Sequence, residues 1–198
     1  DQSRKITLTV YNTADNLKKQ QEFEKDVADL LKADPHDIAS KAPITFKRKQ
    51  AFTLNQINYG GISNPRWLNN STIIYGASTV DSDNNRHQDL FSWHITTNTI
   101  KQLTNSANIR RFDIVTTNKN NAFIIAERSR YGSSQLVKLA IDGQFIKALT
   151  ASSLTHVYDF PRVKPKQAET TNSTTSFAYL QSALNEKWLL KVSQLDAT

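Results

Sequence analysis

Few residues in this sequence have the type and spacing that chemistry demands. Asp81-Ser-Asp83-Asn-Asn85 begins like a calcium loop, with oxygen ligands at alternate positions. Its sixth position is Arg86 where that loop needs glycine, and its twelfth is Ser92 where it needs glutamate, so a polar hairpin loop is expected. The four histidines, His36, His87, His94 and His156, show no ligand-pair spacing, and no His-Glu-x-x-His is present to hold zinc. His94, between Trp93 and Ile95, reads as a hydrogen-bonded strand histidine. Asp113, Glu127 and Asp159 could form an acid set around a channel, but nothing in their spacing brings them together. Tyr131-Gly-Ser-Ser134 reads as a turn; there is no Gly-x-Ser-x-Gly elbow and no glycine-rich phosphate loop. The chain has 0 cysteines, which excludes a disulfide scaffold, a thiolate metal site and a thiol nucleophile. No catalytic, cofactor-binding or metal-binding residue is therefore assigned, and no cofactor is expected.

Surface chemistry is equally plain. The net charge of +7 is spread thinly, with tight basic clusters at Lys47-Arg48-Lys49 and Arg110-Arg111. A nucleic-acid surface would show a dense basic stripe interleaved with stacking aromatics, so no nucleic-acid partner is expected. The apolar runs, such as Ala122-Phe-Ile-Ile-Ala126, are too short to span a bilayer. Trp67, Trp93 and Trp188 sit at strand positions, where aromatics fill space between packed layers. Asn69-Asn-Ser-Thr72 and Asn172-Ser-Thr174 match glycosylation acceptors, as chance allows in a chain this rich in Asn, Ser and Thr. At 198 residues the chain can bury a core without staples. It opens on the polar Asp1-Gln-Ser-Arg4 and holds 0 methionines, which suggests a processed chain or a piece of a longer one.

Two regions differ in pattern. In residues 1–62, Ile6-Thr-Leu-Thr-Val-Tyr11 alternates as a strand. Leu17, Phe23, Val27, Leu30 and Leu31 then form one stripe at helical spacing, which predicts an amphipathic helix over 14–33 stopped by Pro35. That stripe is expected to pack on its own domain. Residues 34–62 read as a connector with a short extended piece at Ile44-Thr-Phe46.

Residues 63–198 are organised by a repeat. Pro65-Arg66 recurs as Pro161-Arg162, 96 residues later, and Phe112-Asp113 stands midway. Each start leads to an apolar strand at Ile73-Ile-Tyr75, Phe123-Ile-Ile125 and Phe177-Ala-Tyr-Leu180. A second strand follows at Asp89–Ile95, Gln135–Ile141 and Lys187–Ser193. Two copies close with a turn and Ile100-Lys-Gln-Leu-Thr104 or Ile146-Lys-Ala-Leu-Thr150; Asp142-Gly143 is a strong hairpin signal. The third copy stops at Gln194-Leu-Asp-Ala-Thr198. Four short strands per repeat is the size of a propeller blade. The fold predicted is mainly β: a partial β-propeller of about three four-stranded blades (63–109, 110–156 and 157–198), the last incomplete, after the strand and helix.

Asn64-Pro-Arg-Trp-Leu-Asn-Asn-Ser-Thr-Ile-Ile-Tyr75, with Asp89-Leu-Phe91 and Gln102-Leu-Thr104, resembles the repeat of TolB-like, WD-like β-propellers. The family's usual Ser-Pro-Asp-Gly turn is replaced by Leu68-Asn-Asn-Ser71 and by Thr117-Asn-Lys-Asn120. Tyr59-Gly-Gly-Ile-Ser-Asn-Pro-Arg-Trp67 after a charged helix is similar to the junction of a bacterial gluzincin-type metallopeptidase with such a propeller. The resemblance implies a non-catalytic scaffold that binds a protein or peptide in a periplasmic or otherwise extracytoplasmic bacterial setting. The alternative it implies is an accessory portion of a larger zinc metallopeptidase whose catalytic domain lies upstream. Further blades, from the same or another chain, are expected to cover the open faces and edges, without which residues 63–198 should self-associate.

Overall fold

The computed structural model describes residues 6–11, 13–32, 50–56, 61–118, 121–130, 132–151, 156–163, 175–183 and 187–195. The chain forms two compact units, residues 6–55 and residues 56–198. In the first, β1 (Ile6–Tyr11) precedes α1 (Thr13–Lys32) and pairs with β2 (Gln50–Gln56) in a two-stranded sheet. Asp15 in the first turn of α1 and Lys32 in the last complement the helix dipole. Phe23 and Val27 of the predicted stripe are half-buried, whereas Leu17 is exposed. The strand β2 corrects the expectation of a connector there. Within Gln50–Gln56 the run Phe52-Thr-Leu-Asn55 alternates apolar and polar residues, and its Leu54 is buried. The extended piece expected at 44–46 lies outside the described residues.

The second unit is built from three antiparallel sheets in chain order. The first joins β3 (Ile62–Trp67), β4 (Thr72–Val80), β5 (Arg86–His94) and β6 (Thr99–Gln102). The second joins β7 (Ile109–Asn118), β8 (Asn121–Arg130), β9 (Ser133–Ala140) and β10 (Phe145–Ala148). The third has three strands among the described residues, β11 (His156–Val163), β12 (Thr175–Ala183) and β13 (Leu189–Leu195). The chain is mainly β, and among the described residues the sheets close no ring.

The repeat signals have identifiable jobs. Register slips between Ser63 and Arg66 in β3 and between Asp159 and Arg162 in β11. Pro65 and Pro161 lie inside those slips, where a residue that cannot donate a ladder bond is tolerated. Asparagines make several turns because they tolerate positive φ: Asn64, Asn84, Asn98 and Asn108 lie between 51° and 65°. At the Leu68-Asn-Asn-Ser71 turn, Asn69 Oδ1 accepts the Ser71 N–H at 2.9 Å, and the Leu68 N–H reaches Thr72 O at 2.9 Å.

The core lies between the sheets. Ile74 and Leu90 of the first sheet pack with Ile109, Phe112, Ile124, Ala126, Val137 and Leu139 of the second. On its other face the second sheet turns Val115, Phe123, Ile125 and Leu136 onto Phe177 of the third. Burying a side chain of this size contributes roughly 1.5–3 kcal/mol. Polar ties span the first layer one repeat length apart. Asn64 Nδ2 donates to Phe112 O at 2.9 Å, and Arg66 Nε meets Asp113 Oδ1 at 3.2 Å. Buried Lys138 places its Nζ 4.3 Å from the centre of the Phe123 ring, a cation–π contact that accommodates its charge.

Candidate functional site

The residues singled out for chemistry are engaged in structure. Asp81 Oδ1 accepts the N–H groups of Asp83 (3.0 Å) and Asn85 (2.8 Å), while Oδ2 accepts Asn85 Nδ2 (3.1 Å) and His87 Nε2 (2.8 Å). The carboxylate is thus spent on closing the β4–β5 hairpin. His87 Nδ1 lies 3.3 Å from Asn108 Oδ1, so both ring nitrogens face acceptors. The bond to His87, then those from Asn85, holds the Asp81 carboxyl down at about 2. Asp81 in turn raises the His87 imidazole above its ordinary value, against partial desolvation and with help from Asn108 and Asp89. The arrangement is an ion-paired staple between the β4–β5 loop and the segment before β7.

His94 Nδ1 lies 2.9 Å from Thr97 Oγ1 and 3.2 Å from Thr96 Oγ1, fastening the β5–β6 turn. The acids of the proposed channel set have separate partners. Asp113 meets Arg66, and buried Glu127 takes Arg110 Nη1 at 3.5 Å and Ser134 Oγ at 3.4 Å. The Asp159 side chain lies outside the described residues. Ser134 has the Glu127 carboxylate beside it, and a carboxylate is a poor substitute for the imidazole of a serine nucleophile. Of the tryptophans, Trp93 is buried and donates Nε1–H to Asn98 Oδ1 at 3.0 Å. Trp67 and Trp188 correct the expectation of layer filling, since both are half-exposed. Among the described residues no group of three or more His, Cys, Asp or Glu is placed to hold a metal, and no helix is long and apolar enough to cross a membrane.

Sequence reasoning missed the role of Asp89. This wholly buried carboxylate accepts four hydrogen bonds: Thr79 Oγ1 (2.6 Å), Thr104 Oγ1 (2.8 Å), Ala107 N (3.0 Å) and Ser106 N (3.1 Å). Thr104 Oγ1 also accepts the Leu90 N–H at 2.9 Å. In the second sheet Thr150 Oγ1 accepts the Leu136 N–H at 3.0 Å, and Gln135 Nε2 donates to Thr150 O at 3.0 Å. The recurring Leu-Thr was the available signal: its threonine hydroxyl locks the fourth strand's end onto the third strand.

The third sheet departs from this pattern on its outer side. Leu180 stands opposite Leu190 and Ala178 opposite Val192, so the four share a face. Phe177, next in sequence, packs towards the second sheet, so that shared face turns away from it. Leu90 and Leu136 hold the same place in the first two sheets, on the third strand and turned to the following sheet; both are 0% exposed. Leu190 is 71% exposed and Val192 70%. With half-exposed Trp188, just before β13, they make an apolar strip at the edge of the third sheet among the described residues. No protein-family model, curated protein or solved structure matches the chain.

Proposed function

We propose that this chain is a non-catalytic scaffold that binds a protein or peptide, a TolB-like propeller segment whose third sheet is covered by a further blade from the same or another chain. The observation that carries the reading is the contrast between Leu90 and Leu136, fully buried, and Leu190 and Val192, exposed at the equivalent face. Transferring such side chains from water to a partner is favourable by roughly 25 cal/mol per Å² of apolar surface. The stacked sheets, the common repeat and the resemblance of residues 60–198 to TolB-like repeats support it. The extracytoplasmic bacterial setting belongs to the same proposal and rests on the resemblance alone.

Sedimentation velocity of the chain tests it, with the Leu190→Lys/Val192→Lys variant alongside. The wild type is expected to self-associate with rising concentration and to bind an apolar fluorescent dye. The variant should lose both at an unchanged far-ultraviolet spectrum. A wild type that stays monomeric and binds no dye would overturn the scaffold reading.

A further inference from the structure

We infer that the β6–β7 connection is a pH-gated hinge between the first and second sheets, with charged His87 as the clasp on its last residue, Asn108. The connection, residues 103–108, is the covalent link between the two sheets. It is pinned at two places on β5. Asp89 accepts the amides of Ser106 and Ala107 at 3.1 and 3.0 Å. Two residues earlier, His87 Nδ1 lies 3.3 Å from Asn108 Oδ1. Asn108 passes the tie on: its carbonyl accepts the Ser129 N–H of β8 at 3.0 Å, a bond into the second sheet. Its backbone is left-handed, at φ 54°, as asparagine tolerates at a turn. Ile109, the next residue, is 2% exposed and belongs to the core between the two sheets.

Only the charged ring can hold both of its neighbours. The imidazolium has two N–H groups, and both nitrogens face acceptors, Nε2 at 2.8 Å from Asp81 Oδ2 and Nδ1 at Asn108. The neutral ring has one N–H. The shorter bond, to the Asp81 carboxylate, keeps it, because charge strengthens that bond. The Nδ1 lone pair is then left against the Asn108 oxygen, and two acceptors repel, so the clasp on Asn108 is the one released. The surroundings favour the closed form. Asp81 of the β4–β5 loop, bonded to the ring, raises the imidazole above its ordinary value against partial desolvation, and Asn108 and Asp89 add to the rise. Arg86 precedes His87 on β5, and strand alternation turns it to the other face. Arg128, beside Ser129 on β8, is turned to Gln135 and the Phe145 ring. The hinge is firm in mild acid and yields as pH rises through the raised value.

The test is amide hydrogen exchange of the full chain across a pH series, each rate referred to its intrinsic value at that pH. Protection of the Ser129 amide should hold below 6.5 and fall by about tenfold as pH rises through the His87 midpoint, itself read from the ring proton shifts. The Ser106 and Ala107 amides, which Asp89 holds, should keep their protection. His87→Gln should flatten the Ser129 profile. Asn108→Asp sets a second carboxylate against the ring, so the fall should move to higher pH; aspartate tolerates the same backbone. Ser129 protection that does not follow the His87 midpoint would overturn the inference; that is the result if Asn108 turns its amide and donates Nδ2–H to the neutral ring. A fall shared equally by Ser106, Ala107 and Ser129 would overturn it too, since it reports opening of the whole sheet. So would an unshifted profile in Asn108→Asp.

Discussion

Replacing Asp89 with alanine should be among the most damaging single changes in the first sheet. The carboxylate is fully buried and accepts from two hydroxyls, those of Thr79 and Thr104, and from two backbone amides, those of Ser106 and Ala107. The hydroxyls can rotate to other acceptors, but the amides are fixed by the chain. An orphaned buried donor costs about 1–3 kcal/mol, and Ser106 and Ala107 are half-buried, which sets each near the lower half of that range. Two amides and a small void together give a loss of about 3 kcal/mol. Asp89→Asn should cost nearly as much, because its NH2 group points a donor at donors. Thr104→Val, which removes the acceptor of the Leu90 N–H, should cost about 1–2 kcal/mol. The double variant should fall short of additivity by about 1 kcal/mol, since Asp89 and Thr104 share a bond. Urea unfolding followed by tryptophan fluorescence measures all four, as Trp93 is buried in the same sheet. An Asp89→Ala variant within about 0.5 kcal/mol of wild type, or strict additivity with Thr104→Val, would refute the reasoning.

Two further predictions follow from turns. Gly143 has φ +94°, and an added Cβ would run into the backbone oxygen of Leu103; Gly132, at φ +76°, has open space around it. Gly132→Ala should therefore cost about 1 kcal/mol and Gly143→Ala about 3 kcal/mol or more, read as urea midpoints; equal losses would contradict the close approach of that turn to Leu103. The Asp81–His87 pair should make stability depend on pH from both sides. Asp81 is lowered, so its contribution is present above 3.8 and lost as pH falls towards about 2; His87 is raised, so its contribution is present below 6.5 and lost as pH rises through the raised value. Thermal melts should show a decline as pH rises above 6.5 that is smaller in His87→Gln, and identical pH profiles would remove the staple.

Much of the architecture was legible locally. Alternation at Ile6–Tyr11, helical spacing at Phe23 and Val27, and the Asp142-Gly143 turn each report a preference a few residues long, and all three elements form. The Pro-Arg spacing marked places where β3 and β11 slip register. The strand β2 escaped because one short alternating run is a weak signal beside a polar connector. The Leu-Thr ending was visible as a recurrence, but its chemistry was not: Asp89 and Ala107 are 18 residues apart, and only the folded sheet brings that amide to the carboxylate. Leu90, Leu136 and Leu190 look alike in sequence, each in the run that becomes the third strand of its sheet. What separates them is what lies over them. Burial is a property of the neighbouring sheet, so only the stacking of sheets decided that the first two leucines are core and the third is surface.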